Sequence, residues 1–176
     1  MRVLVLTGSH RKNGNSSALA SAFIEGAKQS GHDVRRLDCA FLKIGGCMGC
    51  DFCMSHQGEC VQKDDVAKIR EEVIAADAVV FVSPVYYFGI SSQLKAAMDR
   101  FYAFNDKLMN AHKKTALLLS MADTEMKTAQ PSIDHFKAVC DYLGWDTVGV
   151  VVASAWAAGS VTEDKLQEAR KLGEGL

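Results

Sequence analysis

A chain of 176 residues with 48% hydrophobic side chains has room for one domain with a buried core, which sets disorder aside. Its 20 basic and 21 acidic side chains leave a net charge of −1, so no charge surplus points to nucleic acid or a membrane as a partner. No apolar run reaches membrane-spanning length, and the chain opens on a strand-like stretch instead of a secretory leader, so a cytoplasmic setting is expected.

Residues 2–7 form an apolar run closed by Gly8, the pattern of a strand buried on both faces. A polar turn over 9–15 leads into a predicted helix over 16–30, with Leu19, Phe23, Ile24 and Ala27 on one face and Gly31 as its stop. Residues 33–38 read as a second strand, and 45–60 as an irregular segment rich in cysteine. The Asp64-Asp65 pair then opens a helix to about residue 76, its acids suited to the positive end of the helix dipole. The clearest buried strand, 78–83, breaks at Pro84 and passes through an aromatic loop into a helix over about 92–104. A strand over 115–120, a helix over 132–143, a strand over 147–153 and a helix over 162–172 complete the order. Five strand–helix alternations without repeat or linker predict a single domain over 1–176. Its class is α/β, a doubly wound five-stranded parallel sheet in three layers.

In such sheets ligands sit outside the carboxyl ends of the strands, where the strand order reverses. The turn after the first strand is therefore the first place to look. Its glycines, Gly8 and Gly14, let backbone approach an anion, and Ser9, Asn15 and Ser16 bring side-chain donors. Arg11 adds a positive charge, and the following helix presents free N–H groups. Asn15 and Ser16 stand where a nucleotide-hydrolysing loop needs lysine and then serine or threonine, and no G-x-G-x-x-G is present. A terminal monophosphate suits this turn best; an ordinary strand-to-helix loop is the alternative. After the third strand, Pro84 and Val85 precede three consecutive aromatics, Tyr86, Tyr87 and Phe88, and then Gly89. Such a loop suits an apolar wall for a flat ring, or else plugs the core or an interface. The loop over 121–126 should form the third side of the pocket, although it matches no motif.

Gly8-Ser9-x-Arg11-x-x-Gly14-Asn15-Ser16 resembles the phosphate loop of the NAD(P)H-dependent FMN reductases and the related iron–sulfur flavoproteins. Pro84-Val85-Tyr86-x-x-Gly89 is similar to their second flavin loop, and the likeness extends over nearly the whole chain. The resemblance implies a flavodoxin-like fold. It also implies FMN held at its phosphate by Ser9, Arg11, Gly14, Asn15 and Ser16, and along its ring by Pro84, Val85, Tyr86 and Gly89. Tyr87 and Phe88 join that ring site on the aromatic reading. Hydride would come from NAD(P)H and pass to a small acceptor such as a quinone, free flavin or a metal ion, with no catalytic side chain required; a flavin-binding or interaction module without turnover is an alternative. Lys95, Asp99 and Arg100 match a lysine and an Asp-Arg pair that the family tends to carry, and read as structural or interface ion pairs. Relatives often complete the flavin pocket from a second subunit, so a homo-oligomer is implied, with Tyr102, Phe104 and Trp156 as exposed-looking aromatics. His10 departs from the residues usual at its place and is assigned no role.

Of six cysteines, Cys39 and Cys140 read as buried small hydrophobes, while Cys47-x2-Cys50-x2-Cys53-x6-Cys60 crowds four thiols into one segment. Repeated two-residue spacers resemble ferredoxin spacing, whereas a zinc site more often separates two knuckles by a long spacer. The run also resembles the compact motif of iron–sulfur flavoproteins, in which a [4Fe–4S] cluster passes electrons from ferredoxin to FMN. A cluster, zinc, and redox or unligated thiols all stay open at this point. A phosphatase loop does not, because no cysteine has arginine six positions on.

Overall fold

The apolar runs become parallel strands of one sheet, and the computed structural model describes residues 1–176. In chain order the first elements are β1 (Arg2–Thr7), α1 (Asn15–Gln29), β2 (Asp33–Asp38), a 3₁₀ turn (Cys39–Phe41), α2 (Phe52–Ser55) and α3 (Val66–Ala75). They are followed by β3 (Ala78–Tyr86), β4 (Gly89–Ile90), α4 (Ser92–Asp99), a 3₁₀ helix (Arg100–Phe104) and α5 (Asn105–Leu108). Then come β5 (Lys114–Met121), α6 (Gln130–Leu143), β6 (Asp146–Ser154) and α7 (Glu163–Glu174). The five long strands pair in parallel in the order β2-β1-β3-β5-β6, the flavodoxin-like order, whose reversal lies between β1 and β3.

Because successive strand residues point to opposite faces, each buried strand feeds two cores. Leu4, Leu6, Val79 and Phe81 pack into the layer that holds α3, α4 and α6. Val3, Val5, Val80 and Val82 pack into the layer of α1 and α7. There the two helices touch backbone to backbone: a Cβ on Gly173 would lie 2.2 Å from the Phe23 carbonyl oxygen. Only glycine permits that approach. No helix is long and apolar enough to cross a membrane.

Four expectations are corrected. The third strand does not break at Pro84 but runs to Tyr86 and folds back as a two-residue antiparallel hairpin with β4. Beyond Val82 the strand has lost β1 as a neighbour, so the N–H that proline lacks costs no ladder bond. The helix expected over 92–104 tightens to 3₁₀ winding at Arg100. Three residues per turn bring Phe101 and Phe104 together with ring centroids 5.6 Å apart. Phe104 is consequently buried, leaving Tyr102 and Trp156 as the exposed aromatics of the three singled out. Finally, α3 begins only at Val66, after the acidic pair; Asp64 accepts from the Val66 N–H at 3.1 Å and also pairs inward with Arg100.

Candidate functional site

The site is built where β1 and β3 end side by side. The Gly8 N–H donates to the Val82 carbonyl at 2.9 Å, continuing the pairing one residue past β1. The Gly8 carbonyl accepts from the Ser91 hydroxyl at 2.9 Å, and a Cβ on Gly8 would lie 2.1 Å from that oxygen. Ser91 is also the N-cap of α4, and its own N–H donates to the Ser83 hydroxyl at 2.8 Å. The turn itself closes through Gly14 N–H to the Arg11 carbonyl at 3.0 Å and Arg11 N–H to the Ser9 hydroxyl at 3.2 Å. No side chain caps α1, and the N–H groups of Asn15, Ser16 and Ser17 find no acceptor in the chain. Three unpaired donors at the positive end of a helix, beside the exposed Arg11, are the donor set that could hold an anion.

Ser9, Arg11, Gly14, Asn15 and Ser16 line one cleft of about 200 Å³ together with Pro84, Val85 and Tyr86. The structure thus brings the phosphate turn and the start of the aromatic loop to a single place. Tyr87, Phe88 and Gly89 are not among the lining residues. The hairpin turns them away: Tyr87 and Phe88 are its two central residues, at φ +47° and +64°, with Tyr87 fully exposed. The loop after β5 supplies the third side through Met121 and Ala122, as expected from its position, and Ser120 joins them. Ala155 and Trp156, after β6, complete the lining and were missed. The available signal was Trp156 itself, just past a strand end, which the sequence reading gives to an interface instead.

Two expected phosphate contacts are directed elsewhere through their side chains. The Asn15 amide nitrogen donates to the carbonyls of Ala155 (3.0 Å) and Ala157 (2.9 Å), while its oxygen accepts from the N–H groups of Gly159 (2.9 Å) and Ser160 (3.2 Å). With every amide position used, this side chain holds the loop that carries Trp156. The Ser16 hydroxyl shares a buried 2.7 Å hydrogen bond with Ser120, so Asn15 and Ser16 offer the cleft their backbone N–H groups. Ser9 and Arg11 keep side-chain donors free for it.

A second cleft, of about 20 Å³, is lined by all four clustered cysteines together with Arg100 and Tyr102. Cys47 and Cys50 are exposed, Cys60 is half-buried and Cys53 is buried. No three side chains of His, Cys, Asp or Glu converge closely enough to hold a metal ion as the chain stands. Burial pushes the Cys53 thiol up from its ordinary value, and the charges of Cys60, Cys47 and Cys50 add to it. Tyr102 donates to Asp51 at 2.8 Å, tying this loop to the 3₁₀ helix. Cys39 and Cys140 lie apart in the core, where burial pushes their thiols up to about 12 and about 11. They are the inert pair. Lys95 pairs with Asp99 and Arg100 with Asp64, so both are intramolecular ion pairs.

Residues 1–162 match the family described as NADPH-dependent FMN reductase. The chain belongs to that family. Among its relatives, an iron–sulfur flavoprotein of Archaeoglobus fulgidus is 30% identical over 176 residues, covering 100% of this chain and 79% of the relative. One from Methanocaldococcus jannaschii is 36% identical over 100 residues, covering 57% of this chain and only 50% of its own length. The NAD(P)H:quinone oxidoreductase of Methanothermobacter marburgensis shares the fold, with a TM-score of 0.75 at 21% identity, covering 99% of this chain and 95% of that one. The chain is therefore a flavin oxidoreductase of flavodoxin-like fold. Its unpaired N–H groups at Asn15, Ser16 and Ser17 fit a phosphate, and the walls from Val85 and Tyr86 fit a flat ring.

Proposed function

We propose that the protein binds FMN in the 200 Å³ cleft and oxidises NAD(P)H, passing the electrons to a small acceptor such as a quinone, free flavin or a metal ion. One observation supports this most: two loops separated by some seventy residues meet around three N–H groups that have no partner in the chain. Bound FMN would supply the hydride-accepting and electron-passing chemistry. The chain's own work is to hold the phosphate on the first turn of α1 and at Arg11. It sets the ring against Val85 and Tyr86, and keeps water off one face with the loop fixed by Asn15. The cleft falls below the roughly 300–1,000 Å³ usual for ligand sites, and Tyr86 and Trp156 stand exposed at its edge. A second copy of the chain covering that edge fits both facts. Purified protein should take up one FMN per chain and oxidise NADH or NADPH with at least one of these acceptors; a colourless protein that refuses FMN would overturn the reading.

A second reading is favoured by the placement of Cys47, Cys50, Cys53 and Cys60 along one cleft. Here the four thiols hold a [4Fe–4S] cluster that relays electrons from ferredoxin to FMN. The buried Arg100 Nε, which lacks any acceptor in the same cleft, suits a sulfur ligand there. The thiols would have to move together and open the cleft, since no three of them stand close enough as the chain stands. Anaerobic purification followed by iron and sulfide analysis decides between the readings, since absence of both removes the relay.

A further inference from the structure

Arg100 is the largest fully buried side chain of the protein, 1% exposed, and the proposed flavin chemistry makes no use of it. Burying a guanidinium is costly unless its charge and its donors are matched. Two of its nitrogens are matched. Nη1 donates to the Gly45 carbonyl and to Asp64, both at 2.8 Å, and Nη2 donates to Asp64 at 3.3 Å. Asp64 in turn accepts from the Gly45 N–H at 3.0 Å. Gly45 and Asp64 are the two ends of the segment that carries all four clustered cysteines, so Arg100 closes its neck. Neighbouring bonds reinforce the closure: Gln62 donates to the Gly46 carbonyl at 2.9 Å, and Lys43 N–H to Asp65 at 2.8 Å.

The third nitrogen is not matched. Nε of Arg100 is buried without an acceptor, and Arg100 and Cys60 border the same two cavities. A cation with one spare donor therefore stands against the last cysteine of the run. Hydrogen bonds to cluster sulfurs are a principal means by which a protein sets a cluster's potential.

We propose that Arg100 is the positioning residue of the cysteine site, clamping the segment through Gly45 and Asp64 and keeping its Nε–H for the Cys60 sulfur or a sulfur of the group the four thiols bind. The clamp stands on the hydrogen bonds alone, whereas the donor role rests on the cluster reading above.

Two measurements on the whole chain keep those claims apart. Arg100→Lys retains charge but cannot span both ends of the segment and has no Nε–H. In metal-free protein, hydrogen–deuterium exchange over 46–63 should rise tenfold or more in R100K while exchange in the strands stays put. Equal exchange over 46–63 overturns the clamp. After anaerobic reconstitution with iron and sulfide, the cluster of R100K should show a roughly tenfold shift of its reduction equilibrium toward the oxidised form, ~59 mV for a one-electron couple by EPR-monitored titration. An unchanged potential overturns the donor role. A wild type that takes up no iron overturns the cluster reading and the donor role with it, while exchange still decides the clamp. Should R100K fail to fold, seen as loss of FMN uptake, Arg100→Gln keeps an amide donor for Gly45 and is read in the same way.

Discussion

The hydroxyl of Ser91 donates to the carbonyl of Gly8 across 2.9 Å in the fully buried floor of the site. That bond joins the phosphate turn to the helix following the aromatic hairpin, so neither flavin loop is set independently of the other. Ser91→Ala leaves the Gly8 carbonyl unpaired and α4 uncapped, at a combined cost of about 1–3 kcal/mol. At about 2–4 °C per kcal/mol for a chain of this size, melting should fall by roughly 2–12 °C. FMN affinity should weaken with it. A melt that superimposes on the wild type would show that the bond carries nothing.

The Asn15 clamp predicts a different signature. Asn15→Ala removes four hydrogen bonds to the loop after β6, yet leaves the backbone N–H groups of α1 in place. FMN should still bind, about tenfold more weakly, because the phosphate anchor survives while one wall loosens, an estimate based on about 1 kcal/mol per lost neutral hydrogen bond with partial compensation by water. Asn15→Asp should do nearly as much damage, since a carboxylate cannot donate to the carbonyls of Ala155 and Ala157. Titration of apo-protein with FMN measures both. If N15D bound as tightly as wild type, the clamp would have no part in the site.

Most of this architecture was legible from the chain. The strands announce themselves because parallel strands buried on both faces must be continuously apolar, and Val3 to Leu6 and Ala78 to Val82 are. The cleft was legible because glycine at 8 and 14 beside Ser9 and Arg11 has few other uses at a strand end. What escaped was orientation. Nothing local distinguishes an Asn15 that faces a phosphate from one that reaches a loop some 140 residues away. The hairpin after Pro84 escaped for a similar reason. A two-residue turn with both central residues at positive φ calls for Asn-Gly, whereas this chain places Tyr87 and Phe88 there.

That mismatch is testable. Non-glycine residues held at positive φ cost on the order of 1 kcal/mol or more each. Replacing the pair by Tyr87→Asn and Phe88→Gly should stabilise the isolated chain by about 1–2 kcal/mol in urea unfolding, with an unchanged slope. Neither side chain lines the cleft, so FMN stoichiometry should be untouched. Destabilisation would mean that the aromatics hold contacts worth more than the strain.

The ion pair behind the cysteines gives a pH dependence. Burial raises the Asp64 carboxyl, but hydrogen bonds from Arg100, Gly45 and Val66 outweigh it and hold the group below its ordinary 3.8. A depressed carboxylate stabilises the fold above the unfolded value, and that contribution fades as pH falls through the folded one. Asp64→Asn should therefore cost most at neutral pH, where it leaves Arg100 without its counter-ion. The gap from wild type should narrow as pH drops below about 3.8. Urea midpoints between pH 3 and 7 test the sign; a constant gap would remove the charge from the account.

Trp156 offers the most direct view of the cleft. The chain has two tryptophans, and they differ sharply. Trp145 is buried with its indole N–H donating to the Leu108 carbonyl at 2.9 Å, whereas Trp156 is 85% exposed and lines the cleft. A flavin seated against Tyr86 and Met121 would lie within contact range of the Trp156 indole, and flat aromatic groups at that range stack. Emission from the exposed tryptophan should then be quenched as FMN binds, leaving the blue-shifted emission of Trp145. Trp156→Phe should abolish most of the quenching while weakening FMN by no more than about tenfold, because phenylalanine keeps an apolar face but less area. Quenching that persists in W156F would assign it to Trp145. It would also place the flavin on the far side of the cleft from the loop that Asn15 holds.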